Sequence, residues 1–488
     1  MDISHLNPTC VWKNFYSLTR IPRPSKKESK AVAFMERFGR ELGLETYKDA
    51  LGNIIIRKPA TPGMENRKGI ILQGHLDMVP QKNNDKVHNF EKDPIEPRIV
   101  TAEDGQDWVW ATGTTLGADN GIGVATAMAV LESKELVHGP IEALFTIDEE
   151  TGMTGARGLK PGLLQGDILL NLDSETAGEL YVGGAGGLDS TVTFKYKEDV
   201  MPEGYKAFKV VVKGMRGGHS GMEINEGRGN ANKTLARVLL PVLRDLKGSL
   251  VSIEGGTLRN AIPREAAAVV AIPAENEGAL QQIVESTLAA VKVELGKIDP
   301  NAVIFTEPVK AKTIMAGNVA LKMVKALLAC PNAVSRMSLD MPGLVETSNN
   351  LAIVKSEAGV ISIKTLLRSS VDSAKDELCE EIRAVFELAG AKVEFTGGYS
   401  GWKPDMQSPI LAAMKKVYNE LYGKEPLVMA IHAGLECGIL GGTYPNWDMI
   451  SCGPTLCSPH SPDERVNVAS VGKFWYFIVE VLKNAPEK

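Results

Sequence analysis

Long apolar runs are missing from this chain of 488 residues. The longest apolar stretches, such as residues 124–131, fall far short of the roughly 20 residues that a membrane-spanning helix needs. Residues 1–16 also lack the basic segment and the following apolar segment of a secretory signal peptide. We therefore predict a cytoplasmic protein that does not associate with a membrane.

Cysteine is scarce, with six residues in the whole chain and no regular spacing between them. Cys452 and Cys457 could form half of a metal site, but no second pair completes it. Scattered cysteines in a long chain are typical of reduced thiols in a cytoplasmic protein. We therefore predict free structural thiols rather than a disulfide framework.

The chain also lacks an excess of basic charge. Its 54 lysine and arginine residues are outnumbered by 60 aspartate and glutamate residues, which gives a formal net charge of -6 at pH 7. A protein that binds duplex nucleic acid needs a basic face, so this balance argues against such a partner. Hydrophobic residues make up 44% and charged residues 23% of the sequence, which are the proportions of a globular protein. The length predicts two or more domains.

Several catalytic signatures are absent as well. The sequence contains no H-E-x-x-H segment and no P-loop, which argues against a thermolysin-type zinc site and a P-loop nucleotide site. Residues 398–401 miss the G-x-S-x-G spacing of serine hydrolases. Gly121 and Gly123 lack the third glycine of a dinucleotide-binding turn.

The first third of the chain alternates helical and strand patterns. Residues 28–42 carry apolar side chains at helical spacing, and residues 119–134 are rich in alanine, valine and methionine. Short apolar runs bounded by turn residues predict buried strands, at residues 53–57, 69–73, 141–147 and 167–172. This alternation predicts an α/β domain of three layers, with a mostly parallel sheet between helices.

Two glycine-rich segments interrupt this pattern, at residues 183–187 and 397–401. We interpret them as flexible joints. Between them, residues 190–197 alternate like an exposed antiparallel strand, and long amphipathic stretches follow at residues 230–246 and 279–295. We therefore predict one discontinuous α/β domain, formed by residues 1–186 and 399–488, with an α+β domain inserted at residues 187–398.

Acidic residues and a histidine follow the predicted strands of the first domain. GHLD (74–77), DEE (148–150) and DSE (173–175) each come directly after a strand, and Asp119 lies in the turn GADNG (117–121) before a helix. In open α/β sheets the binding crevice lies at the carboxyl ends of the strands, so we expect these side chains to meet there. Imidazole and carboxylate groups without thiolate predict zinc, cobalt or manganese as the metal.

Four histidines are candidates for the site. His75 has an acid two residues later, Asp77, which could hold its ring, so we interpret His75 as a metal ligand rather than a core residue. For the other three, the residues alone leave a structural and a functional role open: His460 in the loop SPHSP, His219 in GGHSG, and His432 after the apolar run at 427–431.

Glu149 and Glu150 are adjacent, so on an extended backbone their side chains would point in opposite directions. One carboxylate could then bind metal while the other acts as general base toward a metal-bound water, whose pKa the metal lowers toward about 7. An ordinary acidic turn is the alternative that the spacing leaves open.

Five motifs together resemble the di-zinc family of aminoacylases, glutamate carboxypeptidases and dipeptidases. They are GHLD, GADNG, DEE, LDSE (172–175) and SPH (458–460), in that order along the chain. The stretches RKPA (57–60), GMENR (63–67) and LDMVPQKNN (76–84) are most similar to the dipeptidases of this family. The resemblance spans essentially the whole chain. It implies a metal-dependent dipeptidase that hydrolyses unblocked dipeptides, with a broad specificity that includes Xaa-His substrates.

The resemblance also implies roles by position, with two divalent metal ions per chain, zinc or else cobalt or manganese. The implied ligands are His75 and Asp173 for one ion, Glu150 and His460 for the other, and Asp119 as a bridge between both. A cis peptide bond would follow Asp119. Asp77 would orient His75, and Glu149 would be the general base for the metal-bound water.

In the inserted domain, the resemblance implies three residues that bind substrate. His219 would stabilise the oxyanion, while Asn260 and Arg368 would bind the carboxylate end of the dipeptide. The segment around Arg368 lacks the acid and the proline of many relatives. The inserted domain would act as a lid and form a homodimer, in which His219 acts in its own or in the partner's active site.

Two alternatives remain beside the dipeptidase. An N-acyl amino acid deacylase would share the metal site and differ in what holds the free amine of the substrate. A catalytically inactive binding protein could keep the same fold. All five implied ligands and Glu149 are present, which argues against the inactive protein.

Overall fold

A computed structural model describes all 488 residues. The chain forms two compact units. The first consists of Met1–Gly183, Pro404–Ala430 and Leu435–Lys488, and the second of Gly184–Lys403 with Ile431–Gly434. No helix combines the length and the apolar composition that crossing a membrane requires.

Residues 1–184 form eight strands and five helices. The strands are β1 (Glu45–Lys48), β2 (Ile54–Lys58), β3 (Ile70–His75), β4 (Pro97–Thr101), β5 (Asp107–Ala111), β6 (Ile141–Thr146), β7 (Ile168–Asn171) and β8 (Glu179–Gly184). The helices are α1 (Thr9–Thr19), α2 (Ser29–Glu41), α3 (Ala118–Glu132), α4 (Glu149–Gly152) and α5 (Thr154–Gly158).

Residues 185–403 form thirteen strands, four α-helices and a short 3-10 helix (Ala274–Asn276). The strands are β9 (Gly186–Lys195), β10 (Glu198–Val200), β11 (Tyr205–Lys213), β12 (Gly218–His219), β13 (Ser249–Gly255), β14 (Ala261–Ile262), β15 (Ala266–Pro273), β16 (Val303–Val309), β17 (Thr313–Met315), β18 (Ala333–Met337), β19 (Val345–Glu357), β20 (Val360–Ser369) and β21 (Lys392–Tyr399). The α-helices are α6 (Ala231–Asp245), α7 (Glu277–Leu295), α8 (Val319–Ala329) and α9 (Asp372–Leu388).

The remaining residues form four strands and three helices. The strands are β22 (Leu427–Ile431), β23 (Asp448–Ser451), β24 (Leu456–Cys457) and β25 (Arg465–Asn467). The helices are α10 (Pro409–Tyr422), α11 (Glu436–Thr443) and α12 (Val468–Lys483).

An eight-stranded sheet is the centre of the first unit, in the order β1-β2-β6-β3-β7-β23-β8-β22. The four strands β6, β3, β7 and β23 are parallel, whereas β1, β2 and β8 pair antiparallel beside them. Strands β3, β6 and β7 are buried along their whole length, which explains their near-continuous apolar sequences. The predicted α/β fold is confirmed, with four parallel strands at the centre of the sheet.

Helix α3 packs against strand β3 and helix α1. Almost all of its residues are buried, as expected for a helix that is apolar on every side. Gly123 approaches the sheet so closely that a Cβ atom there would clash with the carbonyl oxygen of Leu172. This close approach places the beginning of α3 beside the end of β7.

A nine-stranded sheet forms the centre of the second unit. Eight strands follow the order β16-β11-β15-β13-β19-β20-β9-β21, and β18 pairs with β19. All pairs are antiparallel. A hydrophobic core between helices α6 to α9 and the sheet includes Leu235, Leu239 and Phe386 from the helices, and Val210 and Val270 from the strands. The second unit is therefore α+β.

Candidate metal centre

Three parallel strands of the first unit end at the same edge of the sheet. The register pairs His75, the last residue of β3, with Thr146, and it pairs Gln73 with Asn171. Because parallel strands have their carboxyl ends at one edge, residues 75–77, 148–150 and 173–175 lie together there. His75 is 1% exposed. The sequence predicted that His75 directly follows β3, whereas in the structure it is the last residue of that strand.

Asp119 lies in the first turn of α3, where the backbone departs from helical geometry. Its φ and ψ are -80° and 110°, and its peptide bond to Asn120 is cis, as the family resemblance implied. The side chain of Asn120 accepts a hydrogen bond from the backbone N–H of His75 at 3.3 Å and donates one to the carbonyl of Leu172 at 2.7 Å. The first turn of α3 is thereby tied to the ends of β3 and β7. Asn120 is also non-helical, with φ of -102° and ψ of 29°, so regular helical geometry follows these two residues, and Asp119 lies in the turn that the sequence predicted before the helix.

His460 comes from the loop between β24 and β25, near the other end of the chain. Its φ is positive, at 60°, and 53% of its side chain is exposed. Four residues later, the buried carboxylate of Glu464 accepts hydrogen bonds of 2.7–3.2 Å from the backbone N–H groups of residues 116–119. Carboxylates are favoured at the amino end of a helix, where N–H groups lack intrahelical partners. Glu464 therefore fixes the loop of His460 against the first turn of α3.

Five side chains bring their donor atoms together at this edge. The Nε2 atom of His75 lies 3.1 Å from Oδ1 of Asp119 and 3.4 Å from Oδ1 of Asp173. The Nε2 atom of His460 lies 3.2 Å from Oδ2 of Asp119 and 3.0 Å from Oε2 of Glu150. The two carboxylate oxygens of Asp119 therefore face two different groups, each with one histidine and one further carboxylate.

These residues fit divalent metal ions. Imidazole nitrogens and carboxylate oxygens without thiolate suit zinc, cobalt or manganese. Tetrahedral ligands at about 2.1 Å from a zinc ion are about 3.4 Å apart, close to the separations between these donors. Two carboxylate oxygens, Oε1 of Glu150 and Oδ1 of Asp173, are buried without a hydrogen-bond partner. Because buried polar atoms are normally partnered, both oxygens are suited to bind a cation.

Asp77 connects His75 to the acidic turn. Its Oδ1 atom lies 3.3 Å from Nδ1 of His75, and its carboxylate accepts hydrogen bonds from the backbone N–H groups of Glu149 at 3.0 Å and Glu150 at 3.3 Å. Burial acts to raise the pKa of Asp77, but the interactions with His75 and the N–H group of Glu149 lower it to about 2. The charged carboxylate therefore restrains the ring of His75, as outer partners of metal-binding histidines do.

Glu149 is the first residue of α4, and one of its oxygens lies within 4.8 Å of ligand atoms of His75 and Glu150. Burial raises the pKa of Glu149 well above its ordinary value; His75 opposes this shift, while the negative charges of Asp173 and Glu436 add to it. A carboxyl group with a raised pKa takes up a proton more readily than an exposed glutamate does, which suits a general base.

The three residues that the sequence assigned to substrate binding belong to the second unit. His219 ends β12 and Arg368 lies in β20. A Cβ atom added to Gly221 would lie 3.1 Å from Cε1 of His219 and 3.3 Å from Nε of Arg368, so both side chains border the same space. Asn260 is exposed, and its backbone carbonyl accepts a hydrogen bond at 2.9 Å from the N–H of Ser220.

His432, whose role the sequence left open, lies in the same part of the second unit. Its Nε2 atom is 2.7 Å from the hydroxyl of Ser348, while its Nδ1 atom, like Nε of Arg368, is buried without a hydrogen-bond partner. Burial, followed by the positive charge of Arg368, lowers the pKa of His432 to about 3. His432 is therefore a neutral, buried histidine beside the arginine.

Several buried charged residues of the first unit were not predicted from the sequence, among them Arg23, Glu436 and Glu464. Arg23 donates to the carbonyl groups of residues 76, 77 and 117 at 2.5–3.0 Å, which ties the loop of Asp77 to the beginning of α3. Glu436 is the only charged residue of the apolar segment at 435–440. A single acid in an apolar segment is a sequence signal for a buried charge.

The profile of peptidase family M20/M25/M40 matches residues 71–484. The chain belongs to this family. It is similar to the cytosol non-specific dipeptidase of Escherichia coli (strain K12), with 46% identity over 488 residues and 100% of both chains covered. The crystal structure of the aminoacylhistidine dipeptidase from Vibrio alginolyticus matches with a TM-score of 0.95 and 48% identity, over 100% of this chain and 99% of that one.

A more distant match shows how widely the fold of this M20 family peptidase is shared. The crystal structure of the aminopeptidase PepT from Bacillus cereus matches with a TM-score of 0.57 at 16% identity, over 98% of this chain and 99% of that one. At that identity only the fold is comparable. The family match begins in β3 and ends just after α12, so it includes every residue of the candidate metal centre.

Proposed function

We propose that this M20 family peptidase is a metal-dependent dipeptidase, which hydrolyses the amide bond of unblocked dipeptides with a broad specificity that includes Xaa-His substrates. The position of Asp119 between two histidine–carboxylate groups carries the proposal. The full-length similarity to the dipeptidases of Escherichia coli and Vibrio alginolyticus supports the substrate class.

We assign His75 and Asp173 to one metal ion, Glu150 and His460 to the second, and Asp119 to both. The unpartnered oxygens of Glu150 and Asp173 support this assignment. Two divalent ions at these residues would polarise the scissile carbonyl group and lower the pKa of a water molecule. Zinc is our first choice, and cobalt or manganese suits the same donors.

We assign Glu149 as the general base. Its raised pKa suits it to accept a proton from the attacking water and to deliver that proton to the leaving amine nitrogen. Asp77 restrains the Nδ1 side of the His75 ring, so that Nε2 stays directed at Asp119 and Asp173.

Three residues of the second unit complete the assignment. Arg368 binds the carboxylate end of the dipeptide, because a guanidinium group matches a carboxylate with two parallel hydrogen bonds. Its buried Nε atom without a partner supports this role. Asn260 assists at the same end of the substrate, and His219 stabilises the oxyanion.

We also propose a cytoplasmic location and a homodimer formed through the second unit. The name of the Escherichia coli relative, a cytosol dipeptidase, supports the location. The dimer follows from the family resemblance alone. Light scattering on the purified protein should give twice the mass of one chain, and the mass of a single chain would contradict the dimer.

The test of the function combines metal analysis with a substrate panel. Carnosine, Ala-His and other free dipeptides should be hydrolysed, N-acetyl amino acids should not, and a chelator should abolish turnover until metal is restored. Hydrolysis of N-acetyl amino acids but not of dipeptides would instead establish an N-acyl amino acid deacylase. A protein that binds no metal and cleaves neither substrate class would be an inactive binding protein.

A further inference from the structure

A continuous set of polar side chains crosses the central strands of the first unit, next to the candidate metal centre. We call this set the polar layer. It consists of Thr146 in β6, Gln73 in β3, Asn171 in β7, Ser451 in β23 and Glu436 at the start of α11. All five side chains are buried, and none of them belongs to the proposed catalytic residues.

Hydrogen bonds join the polar layer from end to end. The side-chain N–H group of Gln73 donates to Oε2 of Glu436 at 2.6 Å, and the hydroxyl of Thr146 donates to the same oxygen at 2.9 Å. The side-chain N–H group of Asn171 donates to Oε1 of Gln73 at 2.6 Å, and the hydroxyl of Ser451 donates to Oδ1 of Asn171. Hydrogen bonds at both the nitrogen and the oxygen of the Gln73 side-chain amide therefore determine its orientation.

The polar layer lies directly behind the proposed metal ligands. Side chains two residues apart on a strand point to the same face, so Gln73 lies on the same face as His75. Asn171 precedes Asp173 by two residues, and Thr146 is paired with His75 in the register of β3 and β6. Burial raises the pKa of Glu436 to about 7, the neighbouring His75 acts to lower this pKa, and the negative charge of Asp173 adds to the rise.

This polar layer is costly for the fold, because the interior of a parallel sheet favours apolar side chains. A buried polar group costs free energy unless it is hydrogen-bonded, and a buried carboxylate costs more than a neutral group. Hydrogen bonds only partly offset the free-energy cost of burying the Glu436 carboxylate. Its Oε2 atom accepts two hydrogen bonds, whereas its buried Oε1 atom has no partner. Packing alone therefore does not account for a glutamate at this position.

We propose that Glu436 is a positioning residue of the metal centre, which orients the end of β3 and its ligand His75 through Gln73 and Thr146 and favours cations through its buried negative charge. The inference rests on the proposed function, since it presumes that the cluster around Asp119 binds metal. It adds a residue that contacts neither metal nor substrate and acts through the side chains between them.

Two substitutions separate the positional and the electrostatic contributions. Glu436→Gln keeps the size of the side chain and an oxygen that accepts from Gln73, but it removes the charge. Gln73→Leu keeps the charge and removes the hydrogen bonds. Glu142→Gln is the matched control: Glu142 is also buried, at the other end of β6, where it accepts hydrogen bonds from Arg57 and from the backbone N–H groups of residues 165 and 166.

The experiment is a cobalt titration of chelator-treated full-length protein, followed by the visible absorption of bound Co²⁺. We expect Glu436→Gln and Gln73→Leu each to weaken cobalt binding by about 10- to 100-fold, the usual effect of losing an outer partner of a metal ligand. Gln73→Leu should also change the shape of the absorption bands, because the orientation of His75 is altered. Glu142→Gln should bind cobalt like the wild type, even where its melting temperature falls.

Circular dichroism establishes that each variant is folded, and Thr146→Val replaces Gln73→Leu if the latter does not fold. If the wild type binds two cobalt ions and the variants of the polar layer match it in affinity and spectrum, the inference is wrong and the proposed function stands. If the wild type binds no cobalt, the metal centre itself is refuted, and this inference with it.

Discussion

The carboxylate of Asp77 accepts a hydrogen bond of 3.0 Å from the backbone N–H group of Glu149. The same carboxylate lies 3.3 Å from Nδ1 of His75, the last residue of β3, which Asp77 follows by two residues. One buried charge thus sets the position of a proposed metal ligand and of the proposed general base together. This dual contact makes Asp77 the residue whose replacement should affect both.

We expect Asp77→Asn to lower kcat by about 10- to 100-fold, the range for outer partners of metal-binding histidines. Asparagine keeps the size of the side chain. Its NH2 group, however, cannot accept the hydrogen bond that one of the two backbone N–H groups donates to the carboxylate. Steady-state kinetics at saturating metal measures the effect. Asp299→Asn is the control, because Asp299 is another buried carboxylate that accepts two backbone N–H groups, in the second unit. Equal losses of kcat in both variants would contradict a specific role for Asp77.

Glu149 and Glu150 should respond differently to the same substitution. Glu149→Gln should lower kcat by about 100- to 10,000-fold, the usual contribution of a general base, with the metal content unchanged. Glu150→Gln should lose metal, because the amide is a weaker ligand than the carboxylate. Metal analysis of both proteins beside kcat checks the distinction. Unchanged turnover in Glu149→Gln would remove that residue from the base assignment.

Glu464→Ala should lower the free energy of unfolding by about 3–5 kcal/mol, because four N–H groups lose their acceptor and buried Arg23 loses a nearby negative charge. Urea denaturation measures this loss. Ser408→Ala is the comparison, since the hydroxyl of Ser408 accepts one backbone N–H, that of Leu411, and donates to Asp448. A lost cap typically costs about 1 kcal/mol, and the lost bond to Asp448 adds about 1 kcal/mol. Similar losses for both variants would argue that Glu464 acts as an ordinary helix cap.

His432 predicts a pH dependence of stability. Burial and then Arg368 lower the pKa of His432 to about 3 in the folded protein, and the adjacent His219 adds to this shift. An unfolded chain has a histidine pKa of about 6.5, so below that pH the unfolded state gains a proton that the folded state excludes. The stabilising effect is complete above about pH 6.5 and is lost as the pH falls toward 3.

The corresponding measurement is the free energy of unfolding at pH 7 and pH 5. The wild type should lose about 2 kcal/mol more between these values than His432→Gln, which has no group that titrates there. His5→Gln, which replaces an exposed histidine, should behave like the wild type. Parallel pH profiles of the wild type and His432→Gln would contradict a neutral, buried His432.

Arg368→Lys tests the binding of the substrate carboxylate. We expect KM to rise by about 10- to 100-fold with a smaller change in kcat, because a lysine cannot form the paired hydrogen bonds of a guanidinium group. A dipeptide amide supplies the control within the substrate, since it lacks the carboxylate. If the variant and the wild type differ as much on the amide as on the free dipeptide, Arg368 does not bind the carboxylate.

The central strands and the acidic turns were predictable because burial on both faces leaves continuous apolar runs in the sequence. Strands β2 and β6 were predicted to within one residue at each end, and the residues after β3, β6 and β7 do converge at one edge. The sequence pattern reveals burial through continuous apolar runs, and its alternation of strands with helices predicts that the strands are parallel. It therefore locates the edge of the sheet at which polar residues accumulate.

Glu436 and Glu464 were missed for a different reason. Their partners are distant in sequence: Glu436 accepts from Gln73 and Thr146, and Glu464 accepts from the start of α3. A local pattern contains no information about such pairs. The same limit applies to residues 431–434, which belong to the second unit although the chain on either side belongs to the first. Local periodicity predicts a strand at residues 427–431 and no element at residues 432–434, and only tertiary contacts determine which unit these residues join.

The hydrogen bonds between Glu464 and the beginning of α3 join groups 345–348 residues apart in sequence. During synthesis, β3, β6, β7 and α3 leave the ribosome long before the loop that carries His460 and Glu464. A nascent chain that ends before residue 456 contains four of the five donors clustered around Asp119 and neither of these two late residues. Such non-local closure is slow compared with the folding of local elements. The donor set is therefore complete only after His460 has been synthesised, so that the second of the two proposed metal ions would bind late in the maturation of the chain.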